Sequence, residues 1–124
     1  MTSSVTTLIQ TICDEMAQLV EQIPALEASM AQVARSIKMW QGQQEDIECA
    51  YLLGGIEGKN EEMRTARLRS MLRADSGWGD CQADIVQAEM EQSARAARLK
   101  GMQLRWTLLR LQAQALTANR EEIK

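Results

Sequence analysis

VTTLIQTICDEMAQLVEQIPALEASMAQVARSIKMWQGQQEDIECAY, residues 5–51, is the stretch that decides the fold. Val5, Ile9, Ile12, Met16, Leu19, Ile23, Leu26, Met30, Val33, Ile37, Trp40, Gln44, Ile47 and Tyr51 follow one another at alternating steps of four and three, and only Gln44 is polar. That spacing averages 3.5 residues, the period that holds one apolar seam against a partner helix over its whole length. At 1.5 Å per residue such a helix is roughly 70 Å long, too long for a compact single-layer domain. The seam therefore demands a partner helix, from later in the chain or from a second copy.

Pro24 challenges the ladder, because proline removes the hydrogen bond to the carbonyl of Val20. Ile23 and Leu26 nevertheless keep the phase across it. Two readings fit: a kinked continuous helix, or two collinear helices with Pro24 in the first turn of the second. Gln44 also has two readings. A buried amide at one core position can set register or oligomer state, and a seam opening near its end also tolerates one. Upstream, Thr2, Ser3 and Ser4 form a polar leader, with Ser3 or Ser4 expected to cap the helix that starts near Val5.

After Leu53, the run Gly54-Gly55-Ile56-Glu57-Gly58-Lys59-Asn60 holds three glycines and stops the helix. Asn60 followed by Glu61 and Glu62 is a helix start, with a capping side chain and carboxylates at the positive end of the dipole. A short helix is expected from Glu61 to about Arg73, with Met63, Leu68, Met71 and Leu72 on its apolar side. Residues 74–80 (Ala74-Asp75-Ser76-Gly77-Trp78-Gly79-Asp80) read as a second turn, with Ser76 or Asp80 capping the final helix. That helix, about residues 80–118, carries two stripes. Ile85, Ala88, Leu99, Met102, Trp106, Leu109, Ala113 and Leu116 keep heptad spacing, interrupted by Gln92 and Arg95. Val86, Met90, Ala97, Leu104, Leu108, Leu111 and Ala115 lie beside them. A face that broad predicts contact with more than one helix, hence self-association into a dimer or higher oligomer. The tail from Asn119 to Lys124 is expected to fray.

Composition agrees. One Pro and seven Gly among 124 residues, with no Phe, is a helix former's inventory. Eight Met suit an adaptable helix interface. No segment alternates β-branched or aromatic residues with polar ones for long enough to read as strand. The expected fold is all-α: one domain (1–124) built as a long antiparallel coiled-coil helical hairpin, with residues 54–79 and their short helix at the turn end.

The net charge of −3 divides unevenly. Residues 1–62 hold ten acidic and three basic side chains; residues 63–124 hold eleven basic and seven acidic. The resulting balance, −7 against +4, fits an acidic arm packed beside a basic one, and a mildly acidic chain is a poor general binder of polyanions. Histidine is absent, which excludes a conventional Ser–His or Cys–His nucleophile pair. Three scattered cysteines (Cys13, Cys49, Cys81) make no disulfide framework and cannot close a four-ligand zinc site. Cys49 and Cys81 flank the turn region and read as small, partly buried hydrophobes. Gly54 to Asn60 lacks both the Gly-Lys-Ser/Thr ending and the preceding strand of a phosphate-binding loop. No cofactor, metal or enzymatic activity is expected. There is no signal-peptide pattern and no run of membrane-spanning length, so the expected compartment is a reducing cytoplasm, away from the membrane.

One cluster invites a function: Lys59, Asn60, Arg64, Arg67, Arg69 and Arg73, with Trp78 in the second turn. Amides at the start of the short helix and nearby cations suit a phosphate or carboxylate. Glu57, Glu61 and Glu62 in the same place oppose that, and a solvated helix with local ion pairs explains the charges equally. Trp78 between two glycines is either tucked over the helix ends or offered to a partner as an anchor.

Residues 56–68, from Ile56 through Gly58-Lys59-Asn60-Glu61 to Arg64, Ala66 and Leu68, resemble a signature of small helical accessory proteins of phages and prophages, in which Gly-Lys-Asn-Glu precedes Arg, Ala and Leu between two long helices. The resemblance implies a phage accessory role, near recombination genes or against host defence, and brings no catalytic residues. Gly58 and Asn60 have structural reasons of their own; Lys59 and Arg64 have none visible in the sequence. The functional expectation is a non-enzymatic adaptor or inhibitor that binds a host or phage protein through the turn end. The alternative is a module binding a nucleotide or nucleic-acid phosphate there.

Overall fold

The computed structural model describes residues 2–122, with side chains described for residues 4–119. Within that range the chain is all-helical: α1 spans Thr2–Leu53, α2 Glu61–Ala74 and α3 Ser76–Glu122. No strand occurs among the described residues. Helix α1 continues through Pro24 without a break. Pro24 and Val20 are both exposed, so the carbonyl that proline leaves without its usual donor lies on the solvent side, where water can satisfy it. The helix already includes Ser4, so the expected cap at Ser4 is not made, and the side chain of Ser3 lies outside the described residues. At the other end α3 runs past the expected stop to Glu122; the rest of the tail and the side chains from Arg120 on lie outside the described residues.

The chain divides into two compact units, Met1–Met30 with Ala94–Lys124, and Ala31–Ser93. In the first, α1 packs on α3 around Ile12, Leu19 and Leu109. Leu109 is only 1% exposed. Met16, Ile23, Met102, Trp106, Ala113 and Leu116 close over this centre, each half-buried. Every one belongs to a heptad seam, so the period of the sequence and the buried face coincide. Full burial of one such leucine contributes roughly 1.5–3 kcal/mol. At the rim Arg105 grips Glu15 with both prongs, Nε to Oε1 at 2.7 Å and an Nη to Oε2 at 2.9 Å. That hydrogen bond holds the Glu15 carboxyl below the usual carboxylate range and raises Arg105. The acidic and basic arms do meet here, though an exposed pair adds little stability.

In the second unit α1 again packs on α3, and α2 buries Leu72. Leu72, Cys81, Ile85 and Ala88 are buried, with Val33, Ile37, Trp40, Ile47 and Tyr51 half-buried along α1. A polar layer crosses this unit. Gln44 Nε2 donates to Gln82 Oε1 at 2.9 Å and to the Trp78 carbonyl at 3.4 Å, while Cys81 Sγ donates to Gln43 Oε1 at 3.2 Å. Gln44 is half-buried in the seam, and its amide bridges α1 to α3. Cys49 is exposed rather than partly buried, and Cys81 alone of the three thiols is buried.

Candidate functional site

The segment between α1 and α3 is built by glycine, a cap and a folded-back arginine. Gly55 takes a φ of +83°, the left-handed conformation that lets α1 end, and its N–H bonds to the Leu52 carbonyl at 3.2 Å. Asn60 caps α2 as expected, its Oδ1 accepting from the Met63 N–H at 2.8 Å. Arg64 bends back so that Nη1 donates to the Gly58 carbonyl at 3.2 Å. A Cβ on Gly58 would stand 2.8 Å from Arg64 Cγ and 3.0 Å from its backbone nitrogen, so only glycine admits this close approach. Arg64 therefore does have a structural reason to be where it is, contrary to the expectation from sequence. It braces the turn, and its guanidinium is partly committed.

The second turn is shorter than residues 74–80 suggested. Asp75 alone separates α2 from α3, and Gly77, Trp78 and Gly79 form the first turn of the last helix. Asp75, and neither Ser76 nor Asp80, is the cap: its Oδ1 accepts from the Trp78 N–H at 2.8 Å. Its other oxygen accepts from the Tyr51 hydroxyl at 2.6 Å. One carboxylate thus ties the end of α1 to the start of α3. The Tyr51 hydrogen bond, then the Trp78 amide, hold Asp75 below the usual carboxylate range; the same carboxylate raises Tyr51. Glycines in a first helical turn cost less than in an interior, and a Cβ added at Gly77 would meet Ile47 Cδ1 of α1 at an ordinary contact distance of 3.5 Å. Trp78 is half-buried, and its indole nitrogen is buried without a hydrogen bond. It is tucked against the helices and is not a free anchor.

The remaining cations do not converge. Successive residues of α2 turn by about 100°, which sets Arg64 and Arg67 on one side of the Leu68–Leu72 face and Arg69 and Arg73 on the other. Arg67 borders a shallow depression with Ala66, Ser70, Met71 and Ala74. Arg69 borders another, beside Glu61, Glu62 and Thr65. Lys59, Arg67, Arg69 and Arg73 are exposed, with no hydrogen bond or ion pair to another described residue. Such an arrangement offers scattered positive charge to a broad surface. It does not close a fork on one phosphate.

Sequence reasoning missed three apolar residues in this region. Leu52, Leu53 and Met63 are exposed, Leu53 to 89%. The signal was available for the first two: they come after Tyr51, the last seam position, and so fall off the buried stripe. Among the described residues no group of acidic or cysteine side chains is placed to hold a metal, and no helix is long and apolar enough to cross a membrane. No protein-family model, curated protein or solved structure matches this chain.

Proposed function

We propose that this chain is a non-enzymatic, self-associating coiled-coil hairpin that binds another protein through its turn end, as an adaptor or inhibitor of the phage accessory kind, acting in the bacterial cytoplasm. The observation that carries the reading is the coincidence, in one short stretch of chain, of exposed Leu52, Leu53 and Met63 with the uncommitted cations Lys59, Arg67, Arg69 and Arg73. Exposed large apolar side chains beside cations suit an acidic, apolar-edged protein surface, where covered aliphatics supply affinity and charge supplies steering. The opposed pairing of Gln44 with Gln82 and of Tyr51 with Asp75 supports the hairpin, since higher numbers on α1 meet lower numbers on the returning chain. A module for a nucleotide or nucleic-acid phosphate has less in its favour, because Arg64 is turned to Gly58 and the other arginines diverge around α2.

The test is affinity capture from a host extract, comparing the full chain with a Leu53→Ser, Arg67→Ala, Arg69→Ala variant whose helicity is checked by circular dichroism. One identified protein retained by the native chain and lost by the variant is expected. Equal retention by both, or retention of nucleic acid that disappears steeply with added salt, overturns the reading.

A further inference from the structure

Helix α3 carries a second heptad ladder, and none of it is used inside the chain. Ala97, Gly101, Leu104, Leu108, Leu111 and Ala115 succeed one another at steps of four, three, four, three and four, all on α3 within one compact unit. All six are exposed, Leu104 to 63% and Leu111 to 52%. The buried seam of the same helix (Met102, Trp106, Leu109, Ala113) lies beside it and is engaged with α1. Scattered exposed leucines need no explanation, but three at heptad spacing do.

We infer that this ladder is the seam on which a second copy of the chain docks, α3 against α3 in antiparallel orientation. The pairing rests on the self-association proposed for the chain and is independent of the turn end. Two features single out that occupant and orientation. First, the ladder is complementary to itself. Centred between Leu104 and Leu108, an antiparallel pairing sets Leu104 opposite the partner's Leu108, Leu111 opposite the partner's Gly101, and Ala97 opposite the partner's Ala115. Leucine meets leucine at the centre, leucine meets glycine in the next layers, and alanine meets alanine at the ends. A parallel in-register pairing stacks Gly101 on its own copy and leaves a gap.

Second, Gly101 makes no sense for the single chain. It stands in an exposed helix interior, where glycine is a poor choice, and a Cβ there meets nothing within 4 Å. A neighbouring leucine from another copy gives it a reason.

Sedimentation velocity of the full chain across a wide concentration range tests this directly. The native chain should form a dimer or a multiple of one. Leu108→Glu should weaken that association by about a hundredfold or more, since it places a charge at the centre of the seam. Gly101→Leu should weaken it by at least about tenfold while leaving helicity equal or higher, an effect that misfolding cannot mimic. Orientation is read by disulfide trapping in a Cys13→Ser, Cys49→Ser background. Ala97→Cys mixed with Ala115→Cys should give a cross-linked pair, and neither alone should. A monomeric native chain overturns both the inference and the self-association it rests on. A native oligomer indifferent to both substitutions, or one that cross-links Ala97→Cys to itself, overturns the inference alone.

Discussion

Leu108 and Leu109 are neighbours in sequence and chemically identical, yet the structure gives them opposite fates. Leu109 is 1% exposed at the centre of the Ile12–Leu19 cluster, whereas Leu108 is 47% exposed on the outer ladder. Truncating Leu109 to alanine removes three carbon groups from a closed site, a transfer loss of about 2.4 kcal/mol at 0.8 kcal/mol per group. The residual cavity adds to this, and measured leucine truncations in cores span roughly 2.7–5 kcal/mol. Met16 and Met102 line the gap and can partly refill it with their unbranched side chains, which argues for the lower part of that range, about 3 kcal/mol. With a urea slope of about 2 kcal/mol per molar, the unfolding midpoint should fall by roughly 1.5 M at unchanged slope. Truncating Leu108 removes a side chain that water already reaches, so its cost within one chain should stay near 0.5 kcal/mol. Any larger effect of Leu108→Ala must grow with protein concentration, as mass action requires of an interface residue. The assay is urea unfolding monitored by circular dichroism at several protein concentrations. Equal midpoint shifts for the two variants at low concentration would refute the assignment of the buried seam.

The turn end supplies three further expected outcomes. Asn60→Ala should loosen α2 by about 1 kcal/mol, read as faster amide exchange at Met63, with exchange in the buried part of α3 unchanged. Gly58→Ala forces its new methyl into Arg64 and should open the Arg64–Gly58 bond at a cost of about 1–2 kcal/mol, seen as a changed Arg64 side-chain resonance and faster exchange at Arg64. Asp75 has a depressed carboxyl in the folded chain, so its contribution is complete above the ordinary carboxylate value and is lost as pH falls through the folded one. Tyr51 is raised, so its contribution is complete below its ordinary value and is lost as pH rises through the folded one. Asp75→Asn, which keeps a capping oxygen but loses the charge, should therefore flatten the acid limb of a stability–pH curve below about pH 4, and an unchanged limb would contradict the Tyr51–Asp75 link.

The long helices were legible because their seams are redundant. Across Val5 to Tyr51 the period is sampled fourteen times, so one proline and one glutamine could not mask it. Asn60 was legible for a local reason, since an N-cap needs only its own side chain and the next amides. The start of α3 was not. Ser76-Gly77-Trp78-Gly79 has turn chemistry in isolation, and it becomes helical because Asp75 caps it and Tyr51, Gln44 and Ile47 from a distant stretch receive it. Arg64 was misjudged for a similar reason, its partner being a backbone carbonyl that carries no mark in the sequence. The cationic cluster looked like one site because its members are close in number. On a helix, residues three apart share a face and residues five apart do not, so Arg64 and Arg69 part company.

Within the second unit, the polar layer favours one alignment of α1 on α3. An apolar heptad seam slid by seven residues against its partner still meets apolar residues nearly everywhere, so hydrophobic burial alone discriminates weakly between registers. Gln43 and Gln44 meet Cys81 and Gln82 with four side chains satisfying one another across the helices. Sliding by one heptad would place Gln44 against Ile85 or Glu89 territory and leave its amide without the Gln82 carbonyl, at a cost of about 0.5–1.5 kcal/mol for the lost hydrogen bond, since Gln44 is half-buried and Gln82 exposed. The Tyr51–Asp75 bond near the connection fixes the same alignment independently. Replacing Gln44 by leucine should accordingly raise resistance to urea while broadening the distribution of oligomers and registers seen by sedimentation and cross-linking. A Gln44→Leu chain that stays as homogeneous as the native one would show that the connection alone sets the register, and that the glutamine layer has no part in it.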